Sequence, residues 1–395
     1  MSSFKALGVS RPVDQALERR GIRAPFAVQE LVIADVLAGR DVLVQSPTGS
    51  GKTLAFGVPI VDRLEAGGRG PRALVLAPTR ELATQIVDEL TAVARARGLS
   101  VAPVYGGVAF APQAKRAARA EIVVATPGRL EDLLQRGAFG LAQVGILVID
   151  EADRMLDMGF KPAVDRIVAA TPRSRQTLFF SATLEAAAGA QARAYTKNPV
   201  RHVHEPKADD RGEVSHRFVH LAHHEKVSAL VAELRDRERG RTLVFVRTKR
   251  GADRLVKRLA QKRVEAVAMH GNKSQAQRRK ALDRFTSGRV DTLIATDVAA
   301  RGIDVDDVTH VINFDAPGDR DAYVHRIGRT ARAGRDGAGV SFVLPDQLSE
   351  MRRIATSLGL GREFDHGRPE HVHAPPERPP ARRRSPRSRR RPRHR

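Results

Sequence analysis

Short apolar runs punctuate this chain, and between them lie longer stretches with helical spacing. Residues 42–44, 73–77, 101–104, 122–125, 146–149 and 177–180 are largely continuous runs of Val, Ile, Leu, Ala and Phe. That composition marks strands buried on both faces. After residues 78–83, Leu82, Ile86, Leu90 and Val93 recur at three-to-four-residue spacing and stop at Gly98, which predicts an amphipathic helix. Ser10 as N-cap and Pro12 in a first turn predict another helix, running to Arg20 and ending at Gly21. Strands alternating with helices predict a mainly parallel sheet covered on both faces. The pattern lapses between residues 198 and 213, which are polar and carry Pro199 and Pro206. It resumes at 243–246, 266–269, 292–294, 310–313 and 340–344. This predicts two tandem α/β domains, residues 1–200 and 214–361, with a linker at 201–213. From 362 to 395 the chain is proline pairs and dense arginine, which cannot form a core and predicts a disordered basic tail.

The residues directly after the strands carry the chemistry. After 42–45 comes Ser46-Pro47-Thr48-Gly49-Ser50-Gly51-Lys52-Thr53, then a helical stretch. A glycine-rich turn between strand and helix lets bare backbone amides approach a triphosphate. Lys52 is placed to reach the β/γ-phosphates and the Thr53 hydroxyl to ligate Mg²⁺. A full P-loop has glycine where Ser46 stands, so the octapeptide alone is an incomplete match. Asp150 and Glu151 come after the run at 146–149. In that position one carboxylate holds Mg²⁺, directly or through water, and the other polarises the attacking water. Arg326, Arg329 and Arg332 recur every third residue in the second domain, which has no phosphate loop of its own. Their use is to complete the first domain's site across a cleft, as arginine fingers stabilising charge on the γ-phosphate.

Composition adds a partner. The net charge of +23 over 395 residues points to nucleic acid before a membrane surface. Aromatics are 4 % and Trp is absent, which argues against broad base-stacking platforms and for contacts to the sugar-phosphate backbone. There is no cysteine, which excludes disulfides and thiolate chemistry and fits a reducing cytoplasm. No apolar run is long enough to cross a membrane. The arginine density of the tail predicts a polyanion tether.

Asp150-Glu151-Ala152-Asp153, with the other motifs in order from Phe4 to Leu344, resembles the DEAD-box ATP-dependent RNA helicases of superfamily 2. The resemblance implies two RecA-like domains. It implies that Gln29 reads the adenine edge while Phe4 stacks on the base, and that Ser46, Thr48, Gly49, Ser50, Gly51, Lys52 and Thr53 hold the phosphates. Asp304 is the implied ribose contact. Ser181 and Thr183 resemble the motif coupling hydrolysis to strand separation, with Asp153 and His325 in the same coupling set. Pro78, Thr79, Arg80, Gly106, Gly107, Thr126, Pro127, Gly128 and Arg129 resemble RNA-backbone positions of the first domain. Arg247, Gln275, Arg278 and Thr296 resemble those of the second. Arg329 and Arg332 are the implied fingers, and Arg326 is counted with the catalytic set while bracing the interface. Ser46, Ala27 and Arg247 depart from the usual residues without removing a catalytic group.

The expected function is ATP hydrolysis in the interdomain cleft, coupled to local, non-processive opening of short RNA duplexes or remodelling of RNA–protein complexes. ATP and Mg²⁺ are the expected cofactors. RNA is the expected partner, with ribonucleoprotein or RNA-decay factors beside it, for a cytoplasmic monomer. The rivals are an ATP-dependent RNA clamp or annealing chaperone that works through its tail, and a DNA helicase of the same fold.

Overall fold

The computed structural model describes residues 3–366, apart from 48, 68–69, 185, 205–211, 237–238, 301–304, 306 and 332–333. Two sheets carry it. The first holds β1 (Val42–Gln45), β2 (Ala73–Leu76), β3 (Val101–Val104), β4 (Ile122–Ala125), β5 (Ile146–Ile149), β6 (Gln176–Ser181) and β7 (Val200–Val203), in the order β3-β4-β2-β5-β6-β1-β7. The second holds β8 (Val214–His220), β9 (Arg241–Phe245), β10 (Val267–Met269), β11 (Thr292–Ala295), β12 (Val308–Asn313) and β13 (Gly337–Val343), in the order β10-β11-β9-β12-β13-β8. Every described pairing is parallel.

The apolar runs are the central strands. β2, β4, β5 and β6 are buried along their whole length, because helices cover both faces. The helix Arg80–Ala94 buries Leu82, Ile86, Leu90 and Val93, the stripe its spacing predicts. It crosses the helix Lys52–Arg63 closely at Gly57, where a methyl group would lie 2.1 Å from Leu90 Cδ2.

Two boundaries differ from the sequence expectation. The linker does not begin at 201: Val200–Val203 pairs with Val42–Gln45 as an edge strand, and His204 N–H donates to the Gln45 carbonyl at 2.8 Å. Its alternating half-buried and exposed side chains give no apolar run to detect. The second half also continues past 361. The helix Gly361–His366 seats Phe364, 2 % exposed, against Phe218 with ring centroids 5.3 Å apart. A lone phenylalanine among charged residues carries no periodicity. The tail from 367 onward lies outside the described residues.

Phe364 therefore belongs to a core. Phe364→Ala is expected to destabilise the second half by about 3–5 kcal/mol, read as a lower denaturant midpoint. A midpoint unchanged from the parent chain would show that the helix is an appendage.

Candidate active site

Parallel strands all end at the same edge of a sheet, and the strand order decides which of the loops leaving that edge become neighbours. In the first sheet β5, β6 and β1 are adjacent. Their ends therefore bring Asp150 and Glu151, Ser181, and the glycine-rich loop side by side. Ser46 N–H donates to the Ser181 carbonyl at 3.0 Å, and Asp150 N–H to the Leu76 carbonyl at 3.0 Å. The other half of the sheet, β3-β4-β2, collects Gly106-Gly107, Thr126–Arg129 and Pro78–Arg80.

The glycine-rich loop turns into the helix Lys52–Arg63 through Gly51, at φ +88°. A methyl group on Gly51 would lie 2.6 Å from the Phe26 ring and 2.8 Å from Gln29 Nε2, so glycine is required by both space and conformation. Gln29 is buried and ties two segments together. Its Oε1 accepts from Phe26 N–H at 2.9 Å, and its Nε2 donates to the Gly51 carbonyl at 3.0 Å. Lys52 Nζ donates to the carbonyls of Ser46 and Pro47 at 2.9 and 2.8 Å. The Ser46 and Ser50 hydroxyls bond each other at 2.7 Å, and Ser50 Oγ also donates to the Pro47 carbonyl. Gly49 adopts φ +80°, and Thr53 sits half-buried in the first helical turn. Thr48 lies outside the described residues.

Phe4 does not occupy the place expected of it. It is 1 % exposed and packs in the main core of the first half, so it offers no face to a base. The aromatic beside the loop is Phe26, 62 % exposed, which sequence reasoning missed. A phenylalanine directly after Pro25 and before the helix that carries Gln29 was the available signal.

Asp150 is fully buried, and that burial pushes its carboxyl up to about 7; Lys52 pulls it back and the charge of Glu151 adds to the rise. Its Oδ1 accepts Glu151 N–H at 3.0 Å. Glu151 adopts φ 52°, ψ 51°, a left-handed conformation that costs a non-glycine residue about 1–3 kcal/mol. Arg154, itself buried, holds its carboxylate at 3.0 Å. Sequence reasoning missed Arg154, although i,i+3 spacing from Glu151 at a helix start permits the contact. Asp153 Oδ2 accepts the N–H groups of Ala182 and Thr183 at 3.1 and 3.3 Å, which joins the acidic stretch directly to Ser181-Ala182-Thr183.

On the β3-β4-β2 half, Arg80 lies over Gly106 and Gly107. A methyl group on Gly107 would meet its Nη1 at 2.2 Å. Thr79 caps its helix by accepting Leu82 N–H. Thr126 and Pro127 are buried at the start of their helix, Gly128 is open, and Arg129 donates to the Val108 carbonyl at 3.1 Å.

The second sheet presents Arg247, Thr296 and the helix Gln275–Thr286 from neighbouring strands β9, β11 and β10. Arg247 N–H donates to Asp315, Thr296 is buried, and the Gln275 Oε1 atom is buried without a hydrogen-bond partner. Arg278 crosses to the first half. Its Nη2 meets Glu81 at 2.7 Å with both side chains buried, and Arg279 stands 3.8 Å from Asp88. Glu81 falls within the motif at residues 78–83, but its pairing across the two halves was not legible in the sequence. His325 lies within the field of Arg154, Asp157 and Asp153. Burial first, then Arg154, holds its imidazole below the usual histidine range, against those two carboxylates.

The three arginines separate. Arg326 is locked inside the second half: Nε and Nη2 to Asp297 at 2.6 and 2.8 Å, and Nη1 to Asn313 and to the Asp315 carbonyl. Four of its five N–H donors are thus committed within the second half, which braces its helix. Arg329 is buried beside His325, whose carbonyl accepts from its Nε at 3.3 Å. Arg332 and Asp304 lie outside the described residues.

Comparison with known proteins agrees with this layout. Residues 26–190 match the DEAD/DEAH box helicase family and residues 225–334 the helicase conserved C-terminal domain. The DEAD-box ATP-dependent RNA helicase CshA of Geobacillus kaustophilus (strain HTA426) is 38 % identical over 90 % of this chain and 76 % of its own length. The ATP-dependent RNA helicase CshA of Limosilactobacillus reuteri is 38 % identical over 89 % and 71 %. Among solved structures, S. cerevisiae Dbp5 bound to RNA and ADP BeF3 superposes with a TM-score of 0.81, at 29 % identity, covering 91 % of this chain and 94 % of that one. A DEAD box protein from the hyperthermophile Methanococcus jannaschii gives 0.53 at 36 % identity, covering 91 % and 97 %. The ordered motifs, the two parallel sheets and these relatives place the chain in the DEAD-box family: it is an ATP-dependent RNA helicase.

Proposed function

We propose that the described arrangement is the closed, RNA-gripping state, in which the second half completes a hydrolytic site built on the first. The observation that carries this is the buried Glu81–Arg278 pair. It joins the helix after β2 to the helix after β10, so it exists only while the two edges face each other. The better superposition on the Dbp5 structure with RNA and ADP BeF3, despite lower identity, supports the same reading.

In this state Lys52 and the amides from Gly49 to Thr53 hold the triphosphate, and Gln29 holds the adenine edge. The residues present fit Mg²⁺. Asp150 and Thr53 offer hard oxygen donors, and the ionised form of Asp150 is penalised by burial until a cation offsets it. No cluster of three or more His, Cys, Asp or Glu that could hold a metal occurs among the described residues. Mg²⁺ commonly takes one or two carboxylates and completes its shell with phosphates and water. When bound, the ion draws charge from the γ-phosphate. Glu151, aimed by Arg154, orients the attacking water and accepts its proton. Attack on the γ-phosphorus breaks its bond to the bridging oxygen and leaves ADP and phosphate. Arg329 and Arg332 neutralise charge on the transferring group. Arg80 with Gly106-Gly107, Thr126–Arg129, Arg247, Gln275 and Thr296 contact the RNA backbone. Asp153 passes the state of the acidic stretch to Ser181 and Thr183, and His325 senses it from the facing half.

Two variants test this. Glu151→Gln should lower RNA-stimulated turnover by roughly a hundredfold or more while ATP-dependent RNA binding persists; turnover near the parent's would remove Glu151 from the chemistry. Glu81→Gln leaves Arg278 buried and unpaired, a loss of about 3–5 kcal/mol to the closed state. The RNA concentration for half-maximal stimulation should rise at least tenfold, with nucleotide affinity in the absence of RNA unchanged. An unaltered RNA dependence would mean the pair is not part of closure.

A further inference from the structure

The helix Lys249–Gln261 starts after Thr248, which caps it by accepting Gly251 N–H at 3.0 Å. It buries Ala252, Leu255 and Leu259 against the helix Lys226–Leu234 and the sheet. Its opposite face is exposed and basic. Arg250, Arg254, Lys257 and Arg258 fall on one side at intervals of three and four residues. Arg247, directly before the helix, is exposed as well. From Arg250 to Gln261 the helix runs about 17 Å.

Some cations on other exposed helices are held by a carboxylate one turn away. Arg136 is paired with Asp132 at 2.7 Å and Lys161 with Asp165 at 2.7 Å. Among the described residues none of the four has an ion-pair partner. The acid within the helix, Asp253, is occupied by Lys273 at 2.8 Å and His270 at 3.1 Å. Arg250 with Arg254, and Arg254 with Arg258, are like charges at i,i+4, a spacing that disfavours the helix. An uncompensated ladder of this kind is stabilised by an anionic partner lying along it.

We infer that this face is an accessory track for the RNA backbone, gripping the strand after it leaves the cleft. Continuity selects RNA as the occupant. The helix that carries the stripe follows Arg247 and Thr248, at the same sheet edge as Gln275 and Thr296, and runs outward from it. The helix N-terminus at that edge favours phosphate. The face carries no aromatic side chain, so it reads charge and not sequence. The inference rests on the second-half RNA contacts proposed above and extends them to a longer substrate.

The test is the full chain carrying Arg254→Gln, Lys257→Gln and Arg258→Gln, compared with the parent; the tail is the same in both. RNA binding is measured against salt with an oligouridylate of about ten nucleotides, long enough for the cleft, and one of about thirty. The long RNA should lose at least fivefold in affinity at low salt, with a log–log salt slope shallower by about 2, since each lost phosphate contact removes ~0.7. The short RNA should bind and stimulate ATP hydrolysis as in the parent. Unchanged affinity and slope for the long RNA would overturn the track and leave a solvated face. Equal losses for both lengths would overturn it too, by placing the effect in the cleft. A parent chain that short RNA fails to stimulate would instead sink the cleft reading beneath it. If the variant loses only its binding to anionic lipid vesicles, the face belongs to a membrane and the RNA track is wrong.

Discussion

A parallel strand must return to the end at which its neighbour began, so every strand of such a sheet delivers its next residue to the same edge. This constraint builds the site. Neither the glycine-rich loop nor the acidic stretch after β5 is near the other in sequence, yet one strand, β6, separates them in space. The same rule sets the loops after β3, β4 and β2, proposed above to contact RNA, beside the glycine-rich and acidic loops and not among them. The second sheet repeats the sorting, with β10, β11 and β9 on one side and β12 leading to Arg326 and Arg329 on the other. Two edges prepared in this way can share one nucleotide and one strand only by facing each other.

Buried charge decides how firmly they do so. The Glu81–Arg278 pair is removed from water on both sides, and each partner alone would be costly there. Such a pair favours one docked geometry more than it adds stability. Within the first half, Glu151 stays in a left-handed conformation because its N–H is held by Asp150 and its carboxylate by Arg154. The strain falls on the residue proposed above to aim the attacking water, and strain is commonly stored at functional sites. Arg326 shows the opposite use of burial. Asp297, Asn313 and Asp315 take four of its five N–H donors, which fixes the position of its helix.

The central strands and the motifs after them were legible because a strand buried on both faces must be apolar and its ligand-binding end must not be. The edge strands Val200–Val203 and Val214–His220 were not legible, since half their side chains face solvent and break any run. Phe364 was hidden for a related reason: one anchoring ring has no period. Arg154 was visible only as a charge, and Glu81 only as one member of the motif at residues 78–83. Both are buried, and a sequence does not display the absence of water around a charge. Phe4 misled for the same reason: it stands at the expected point of the sequence, but its ring is closed off in the core.

The central claim is that the second half completes the first half's hydrolytic site. Arg329→Ala tests it most directly, with two readouts from one protein: binding of a fluorescent ATP analogue, and RNA-stimulated release of phosphate. The account predicts analogue binding without RNA at the parent's affinity, and RNA-stimulated release reduced by roughly a thousandfold. Release at the parent's rate would contradict it, and so would loss of analogue binding without RNA.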